Sequence, residues 1–375
     1  MKPSNKHSLI HQTRLIHQAG FSLVEIMIGL VIGLLATLVI MQVFSVFETQ
    51  KRTTTGTADA QTNGSIALYT LGRELKMAGY PLMPVTNSPL ECTTLTFGAT
   101  GIGSIFPVTI TDSVASPVSL SDRITIRYGD SAMGGIPTQI TAMGAPTAND
   151  ATVDNNFGCQ VNDTAIVVNG TTCAMTSVTA LSAASAIPAT ITLQNTTAAI
   201  PGANLACLGT WHEITYRING GNLERCDLPT AIANGGNCNL VTPNNNFVPI
   251  VAGIVNLQAQ YGVSATVNSN QVTQWVDASG ATWAAPTVAN RNRIKAVRIA
   301  VVARNAKKEL NAVTSACSST TAAAPTGLCA WAGSVTSPAP AIDLSANDPD
   351  WLLYRYRVFE TIIPLRNMIW SKDTL

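Results

Sequence analysis

The chain has 375 residues and a formal net charge of +1, and 11% of its residues are charged. Typical soluble domains carry about 25% charged residues, so this surface is sparsely charged. The length allows one large domain or two modest ones. A net charge near zero gives no basic field for nucleic acid, and we therefore expect no nucleic-acid partner.

An apolar stretch runs from Phe21 to Phe47, and Glu25 is its only charged residue. As an α-helix it spans roughly 40 Å, at ~1.5 Å per residue. The hydrocarbon core of a bilayer is about 30 Å thick, so the stretch can cross a membrane. Lys2, Lys6 and Arg14 precede it. The positive-inside rule then predicts a cytoplasmic N-terminus and an outer location for the rest of the chain.

Glu25 is costly in that position, by about 2.5–3.5 kcal/mol on insertion scales. It either reaches the headgroup region or has a dedicated cationic partner. The stretch Gly20-Phe21-Ser22-Leu23-Val24-Glu25 resembles the class III signal of type IV prepilins and type II secretion pseudopilins. The resemblance implies cleavage after Gly20 by a prepilin peptidase and N-methylation of Phe21. It also implies that Glu25 pairs with the Phe21 amine of a neighbouring subunit.

The helical pattern continues beyond the membrane segment. Leu68, Leu71, Leu75 and Ala78 share one helix face, and Gly79 and Pro81 end the helix. The weak helix formers at 53–56 and 63–64 predict a bend or a loosened turn. Gly29 and Gly33 form a GxxxG pattern, which favours close helix contacts in the membrane or in a filament core.

Several segments resemble PilW-type minor pilins and J-type pseudopilins. They include Leu71–Tyr80, Leu257–Gly262, Ile294–Arg304 and Tyr354–Asn367, which ends in Leu365-Arg366-Asn367. The resemblance does not cover the stretch from roughly residue 100 to residue 210. The predicted fold class is α+β: a long N-terminal helix packed on an antiparallel β-rich domain that contains disulfides. Two packed sheets are one option for the arrangement of its strands. The predicted organisation is a leader at 1–20, a transmembrane or filament-core helix at 21–47, its continuation at 48–79 and a globular domain at 80–375.

Eight cysteines follow the membrane segment, and an even number on the outer side indicates disulfides. Sequence proximity favours Cys159 with Cys173, Cys226 with Cys238, and Cys317 with Cys329. The remaining pair is then Cys92 with Cys207. Metal binding is the competing interpretation, but there is no C-x-x-C, and His212 is the only histidine after the leader.

His212 is also the only candidate general base, and we interpret it as a structural or surface histidine. We therefore expect no enzyme activity, no catalytic residues, no metal and no cofactor. The oxygen-rich segments near Asp154 and Asp343 do not have the spacing of a twelve-residue calcium loop.

The resemblance implies a minor pilin that helps to prime a type IV pilus and is incorporated at its tip. The implied partners are other minor pilins, the major pilin, a tip adhesin, the prepilin peptidase and the inner membrane. The globular domain would lie in the periplasm before assembly and at the extracellular pilus tip afterwards. A J-type pseudopilin of a type II secretion system is one alternative. A membrane-anchored extracytoplasmic enzyme or receptor is another.

Overall fold

The structure is a computed structural model that describes the chain from residue 20 to residue 369, with gaps. It divides into two compact units, Met1–Thr54 and Thr55–Leu375, which are described separately below. The described residues are 20–82, 92, 94–97, 105–112, 121–144, 149–196, 198–233, 236–238, 246–316, 328–331, 333–334, 337, 339, 342–345 and 348–369. The predicted leader, apart from Gly20, lies outside them.

Helix α1 extends over Leu23–Met77. In the second unit it buries Ala60, Gly64, Ala67, Leu71 and Leu75, which recur every three or four residues and so lie on one face. The predicted apolar face at the end of the helix is confirmed. Its members pack into the main hydrophobic core, with Leu68 partly buried at the edge.

The expected loosened turn is not found, because the α-helix is unbroken through 53–64. The glycines there have a packing role instead. A Cβ atom on Gly56 would lie 2.1 Å from Oδ1 of Asn305, and one on Gly64 would lie 2.1 Å from the Phe359 ring. The helix therefore tolerates two poor helix formers because they let the sheet approach its backbone.

A four-stranded sheet packs against this face of the helix in the order β14-β13-β15-β16. All its pairings are antiparallel. Its central strand β15 is buried along almost its whole length, since the main core covers one face and a smaller cluster around Trp351 covers the other. The strands are β13 (Ile254–Ser264), β14 (Val272–Val276), β15 (Ile294–Arg304) and β16 (Tyr356–Pro364).

A five-stranded antiparallel sheet completes the main core in the order β12-β11-β10-β3-β2. Buried and less buried residues alternate along β3 at its start, as its sequence predicts. The strands are β2 (Val108–Thr111), β3 (Arg123–Gly129), β10 (Trp211–Asn219), β11 (Asn222–Asp227) and β12 (Val248–Ala252).

The third sheet contains most of the strands in the stretch at roughly 100–210, which showed no resemblance to either pilin family. Its order is β1-β7-β6-β9-β4-β5-β8, and β7 also pairs with β8, so six strands close into a barrel. Only β1 pairs in parallel, with the first half of β7. The strands are β1 (Thr94–Phe97), β4 (Pro137–Met143), β5 (Asp150–Val153), β6 (Thr164–Asn169), β7 (Thr172–Leu181), β8 (Ala189–Leu193) and β9 (Asn204–Cys207).

The described residues thus form three sheets, whereas the sequence suggested two packed sheets as one option. The fold class of a long apolar helix followed by an antiparallel β-rich domain is confirmed. The sequence predicts strands at 123–128, 165–169, 189–193, 212–218, 254–263, 272–276 and 294–304, and all of them are present. The strand predicted at 353–363 begins at Tyr356 instead. The Gly/Pro/Asn-rich stretch 133–153, which its composition predicts to be a loop, contains β4 and β5. Short helices complete the fold: α2 (Leu228–Ala233), α3 (Gly280–Trp283), α4 (Val288–Arg293), a 3-10 turn (Trp351–Leu353) and α5 (Arg366–Ile369).

The barrel is an insertion in a β-hairpin. Strands β3 and β10 pair with each other, and residues 131–209, here called the inserted barrel, connect them. The two ends meet where the Ser131 N–H donates to the Leu208 carbonyl at 3.0 Å. The Thr210 N–H donates to Oδ1 of Asp130 at 2.6 Å. The barrel has its own hydrophobic core, and it touches the rest of the domain through a cluster that includes Leu82, Ile105 and Trp211.

The disulfides correct two of the predicted pairings. Cys226 pairs with Cys238, as predicted. Cys92 pairs with Cys173, and Cys159 pairs with Cys207, so the predicted pairs Cys159–Cys173 and Cys92–Cys207 are wrong. The pairing of β1 with β7 and of β9 with β6 decides these bridges, rather than closeness in sequence. Cys329 is disulfide-bonded, but Cys317, its predicted partner, lies outside the described residues.

The insertion leads to a test by excision. We expect that replacing 131–209 with an Asn-Gly turn, together with Cys92→Ser, leaves the remaining domain folded, because the main core contains no residue of the inserted barrel. The unfolding midpoint should fall, since the apolar side chains that faced the barrel become exposed at about 1.5–3 kcal/mol each. One cooperative transition in calorimetry and an intact Cys226–Cys238 bridge are expected.

The matched control carries only Cys92→Ser and retains the barrel. Loss of the cooperative transition in the excised chain, with this control still folded, would contradict the independence of the two cores.

Candidate assembly site

The first unit presents an apolar helix surface that the described chain does not cover. Every residue from Gly20 to Phe47 is exposed. An 18-residue window of this helix has a mean hydropathy of 2.7, so the segment is long and apolar enough to cross a membrane. Burial of a Leu, Ile or Val side chain contributes about 1.5–3 kcal/mol, so lipid or another protein covering this surface would be strongly favourable.

The predicted processing and pairing residues lie at the start of this helix. Phe21 is 78% exposed, and Glu25 is exposed in the first helical turn. The Glu25 N–H donates to the Ser22 Oγ at 3.2 Å, so Ser22 is the N-cap. The Ser-x-x-Glu spacing of a capping box is the sequence signal for this cap, which is not among the predicted features above.

The cap uses only the backbone N–H of Glu25, and the helix dipole separately favours its carboxylate in the first turn. Neither supplies a cationic partner. Gly29 and Gly33 have open surroundings, with no described atom within 4 Å of the position of a Cβ. Their predicted part in helix packing stays a prediction.

The far end of α1 is fixed to the β-sheets by a buried carboxylate. Glu74 is 5% exposed, and its Oε2 accepts a hydrogen bond from the Tyr128 hydroxyl at 2.6 Å. Arg73 Nη2 donates to Oε1 at 2.8 Å. Burial, and then the hydrogen bond to Glu74, raise the pKa of Tyr128, so its hydroxyl remains a donor. The glutamate of the Leu71–Tyr80 segment therefore ties the helix to strand β3.

The helix terminus itself is capped by both neighbouring and distant residues. Gly79 adopts φ = +77°, which favours glycine, and its N–H donates to the Arg127 carbonyl at 2.9 Å. Asn367 Nδ2 lies 3.4, 3.3 and 3.0 Å from the carbonyl oxygens of Lys76, Met77 and Ala78. The final Leu365-Arg366-Asn367 segment thus satisfies carbonyls that a helix end leaves unpaired.

Within the Leu257–Gly262 segment, each of the last three residues, Gln260, Tyr261 and Gly262, also has a structural role. Gln260 Oε1 accepts from Nε of Arg298 on the next strand at 2.7 Å. The Tyr261 hydroxyl accepts from the Ile110 N–H at 2.6 Å and so links β13 to β2. A Cβ on Gly262 would lie 2.7 Å from the Trp275 ring. These residues hold the sheets together.

His212 lies between carboxylates on the five-stranded sheet. Its Nδ1 is 3.1 Å from Oδ2 of Asp227, and its Nε2 is 3.8 Å from Oδ2 of Asp130. Its ring also lies against Tyr128, with centroids 5.0 Å apart. The hydrogen bond to Asp227 raises the pKa of His212, although burial opposes it. This arrangement joins strands β10, β11 and the end of β3, which is a structural use of the histidine.

The chain thus has a long apolar N-terminal helix, whose first half is exposed, and a β-rich domain that packs against the second half of that helix. Residues 237–367, about a third of the chain, match the PilW family, described as type IV pilus-assembly protein W. The match confirms the predicted resemblance over this part of the chain, and it includes both Leu257–Gly262 and Asn367.

Curated protein sequences contain no match to the chain. A solved structure that resembles it is the type IV-like pilin TTHA1219 from Thermus thermophilus. The alignment has 12% sequence identity and a TM-score of 0.34, and it covers 82% of this chain and 96% of that one.

Asn367 offers a direct test of the capped helix end. We expect Asn367→Ala to lower the free energy of unfolding by about 1–2 kcal/mol, because the α1 carbonyls lose a shared amide donor. Chemical denaturation of the mature protein in detergent measures this. The neighbouring exposed Arg366 gives the matched control, since Arg366→Ala should change stability by less than about 0.5 kcal/mol. Equal effects of the two variants would contradict the capping role.

His212 predicts a pH dependence of stability. Because its folded-state pKa is raised above the ordinary value of 6.5, the stabilisation is complete below that pH and is lost as the pH rises through the folded pKa. Asp227, Asp130, Arg225 and Tyr128 are the charged or titratable groups around it. The free energies of urea unfolding of the native protein and of His212→Gln should therefore differ most below pH 6.5, and the difference should shrink as the pH rises through the folded pKa of His212. A difference that does not change with pH would contradict this assignment.

Proposed function

We propose that this chain is a minor pilin that helps to prime assembly of a type IV pilus and is incorporated at its tip. The observation that carries the proposal is the exposed apolar segment from Phe21 to Phe47, which has a carboxylate in the first turn of its helix. The PilW match at 237–367 supports a pilus role rather than one in secretion.

In this proposal, a prepilin peptidase cleaves between Gly20 and Phe21, and Phe21 is N-methylated. The apolar segment then holds the protein in the inner membrane, with the globular domain in the periplasm. On assembly, the segment leaves lipid and packs among the helices of other minor pilins and the major pilin, below a tip adhesin. The chain acts as a structural subunit, without catalysis.

Glu25 would pair with the Phe21 amine of a neighbouring subunit. A carboxylate near lipid costs about 2.5–3.5 kcal/mol on insertion scales, and an ion pair in the filament would offset this cost. Ser22 caps the helix through a backbone N–H, which a substitution of the Glu25 side chain leaves in place. The capping and pairing roles of Glu25 can therefore be separated.

The experiment compares processing and incorporation. The native chain should yield a mature form that begins with methylated Phe21, seen by mass spectrometry. Gly20→Val should leave the chain uncleaved and absent from sheared pili. An intact Met1 in the native protein, or pili that contain the uncleaved Gly20→Val chain, would contradict the proposal.

Glu25→Gln retains the helix cap and removes the charge, so we expect normal cleavage with at least a tenfold loss of the chain from pili, as an ion pair of about 1.4 kcal/mol or more would give. Glu48→Gln is the matched control, because Glu48 is also a carboxylate of the first unit but pairs with Arg52 one turn away, at 2.9 Å. Equal incorporation of the two variants would contradict the pairing role.

A further inference from the structure

A cleft of about 240 Å³ lies between α1 and the start of β16, within the second unit. Thr57 and Ala60 line its helix side, and Arg355, Tyr356 and Arg357 line its strand side. Val313 and Thr314 close it from the loop that follows β15. Small-molecule sites usually have volumes of about 300–1,000 Å³, so this cleft suits one side chain rather than a cofactor.

Two guanidinium groups lie at this cleft, and their charges are poorly neutralised. Arg357 is exposed and forms no ion pair with any residue that the structure describes. Arg355 Nε is 3.4 Å from Oε1 of Glu309, which is long for a charged hydrogen bond. Glu309 is also 3.5 Å from Nζ of Lys307, so a single carboxylate serves two cations.

The surrounding carboxylates are already engaged. Asp348 pairs with Arg304 at 2.9 Å. Asp350 pairs with Lys308. Among the residues that the structure describes, the cluster formed by these pairs and the cleft therefore contains five cations and three carboxylates: Arg304, Lys307, Lys308, Arg355 and Arg357, with Glu309, Asp348 and Asp350. It is a local excess of positive charge in a sparsely charged protein.

The side chains inside the cleft favour the carboxylate of a glutamate over other anions. Ala60 and Val313 provide apolar contacts beside the arginines, which suit the methylene groups of a glutamate as well as its carboxylate. Thr314 adds a hydroxyl whose hydrogen is donated to the Tyr354 carbonyl, so its oxygen is oriented within the wall. A planar carboxylate also matches the donor geometry of a guanidinium group.

We propose that this cleft binds an acidic side chain, a glutamate on a peptide segment of a neighbouring pilus subunit. The source of the peptide rests on the proposed function, whereas the binding of a carboxylate does not. Arg357 would form the principal ion pair, and Arg355 would exchange its long contact with Glu309 for a second one.

The test uses the full-length mature protein in neutral detergent and a fluorescent six-residue glutamate peptide with blocked ends. Fluorescence polarisation should show salt-sensitive binding, and the matched glutamine peptide should not bind. Arg357→Ala should weaken binding about tenfold, since a charged hydrogen bond contributes about 1.5–3 kcal/mol. Arg366→Ala, which removes an exposed arginine outside the cleft, should bind as the native protein does.

Absence of binding at millimolar peptide, or equal affinities of Arg357→Ala and Arg366→Ala, would overturn the proposal. Inorganic phosphate and vesicles with anionic lipid are the competitors. Displacement of the peptide by either one at a lower concentration than by unlabelled peptide would assign the cleft to phosphate or to a lipid headgroup, and would also overturn it. An intact Met1 in the native protein, or pili that contain the uncleaved Gly20→Val chain, would overturn the proposed function and leave this binding result intact, so the two proposals can fail separately.

Discussion

The carbonyl end of helix α1 is the point on which the β-domain depends. A helix leaves its last carbonyls unpaired, and burial would make them costly. The protein satisfies them with Asn367, almost three hundred residues away, while Glu74 one turn earlier accepts from Tyr128. Gly79 then turns the chain toward the five-stranded sheet. The first and last described elements and both sheets of the main core therefore meet at one helix end.

These contacts explain physically why the segments that resemble PilW-type pilins and J-type pseudopilins have the residues they do. The Leu71–Tyr80 segment and the Leu365-Arg366-Asn367 segment were separate resemblances in the sequence, and the structure brings them into hydrogen-bonding contact. Gln260, Tyr261 and Gly262 similarly join neighbouring strands or make room for a tryptophan. The matched region at 237–367 thus records how the helix and sheets fit together, and the inserted barrel lies wholly outside it.

Elements with a clear periodicity were predictable from the sequence, and contacts between distant segments were not. The apolar face of α1 and most strands of the main core follow from local alternation. The bridge between Cys226 and Cys238 was predictable because a short loop separates them. The other pairings depend on β1 joining β7 and on β9 joining β6, which no local pattern specifies. The glycines at 56 and 64 read as helix-weakening residues, because their contacts with Asn305 and Phe359 are invisible in sequence. At the candidate assembly site, the motif predicts roles for Gly20, Phe21 and Glu25 that stay predictions, and the cap that Ser22 provides was not predicted.

The bridge between Cys92 and Cys173 has a mechanical consequence. Tension applied between α1 and the inserted barrel has two routes: through the hydrogen bonds of β3 and β10, or along the chain from Met77 to Cys92 and across the disulfide into β7. The second route is covalent throughout and bypasses the five-stranded sheet. Force that pulls α1 away from the inserted barrel can therefore be carried by covalent bonds alone, and reduction of this one bridge would transfer that force to the hairpin.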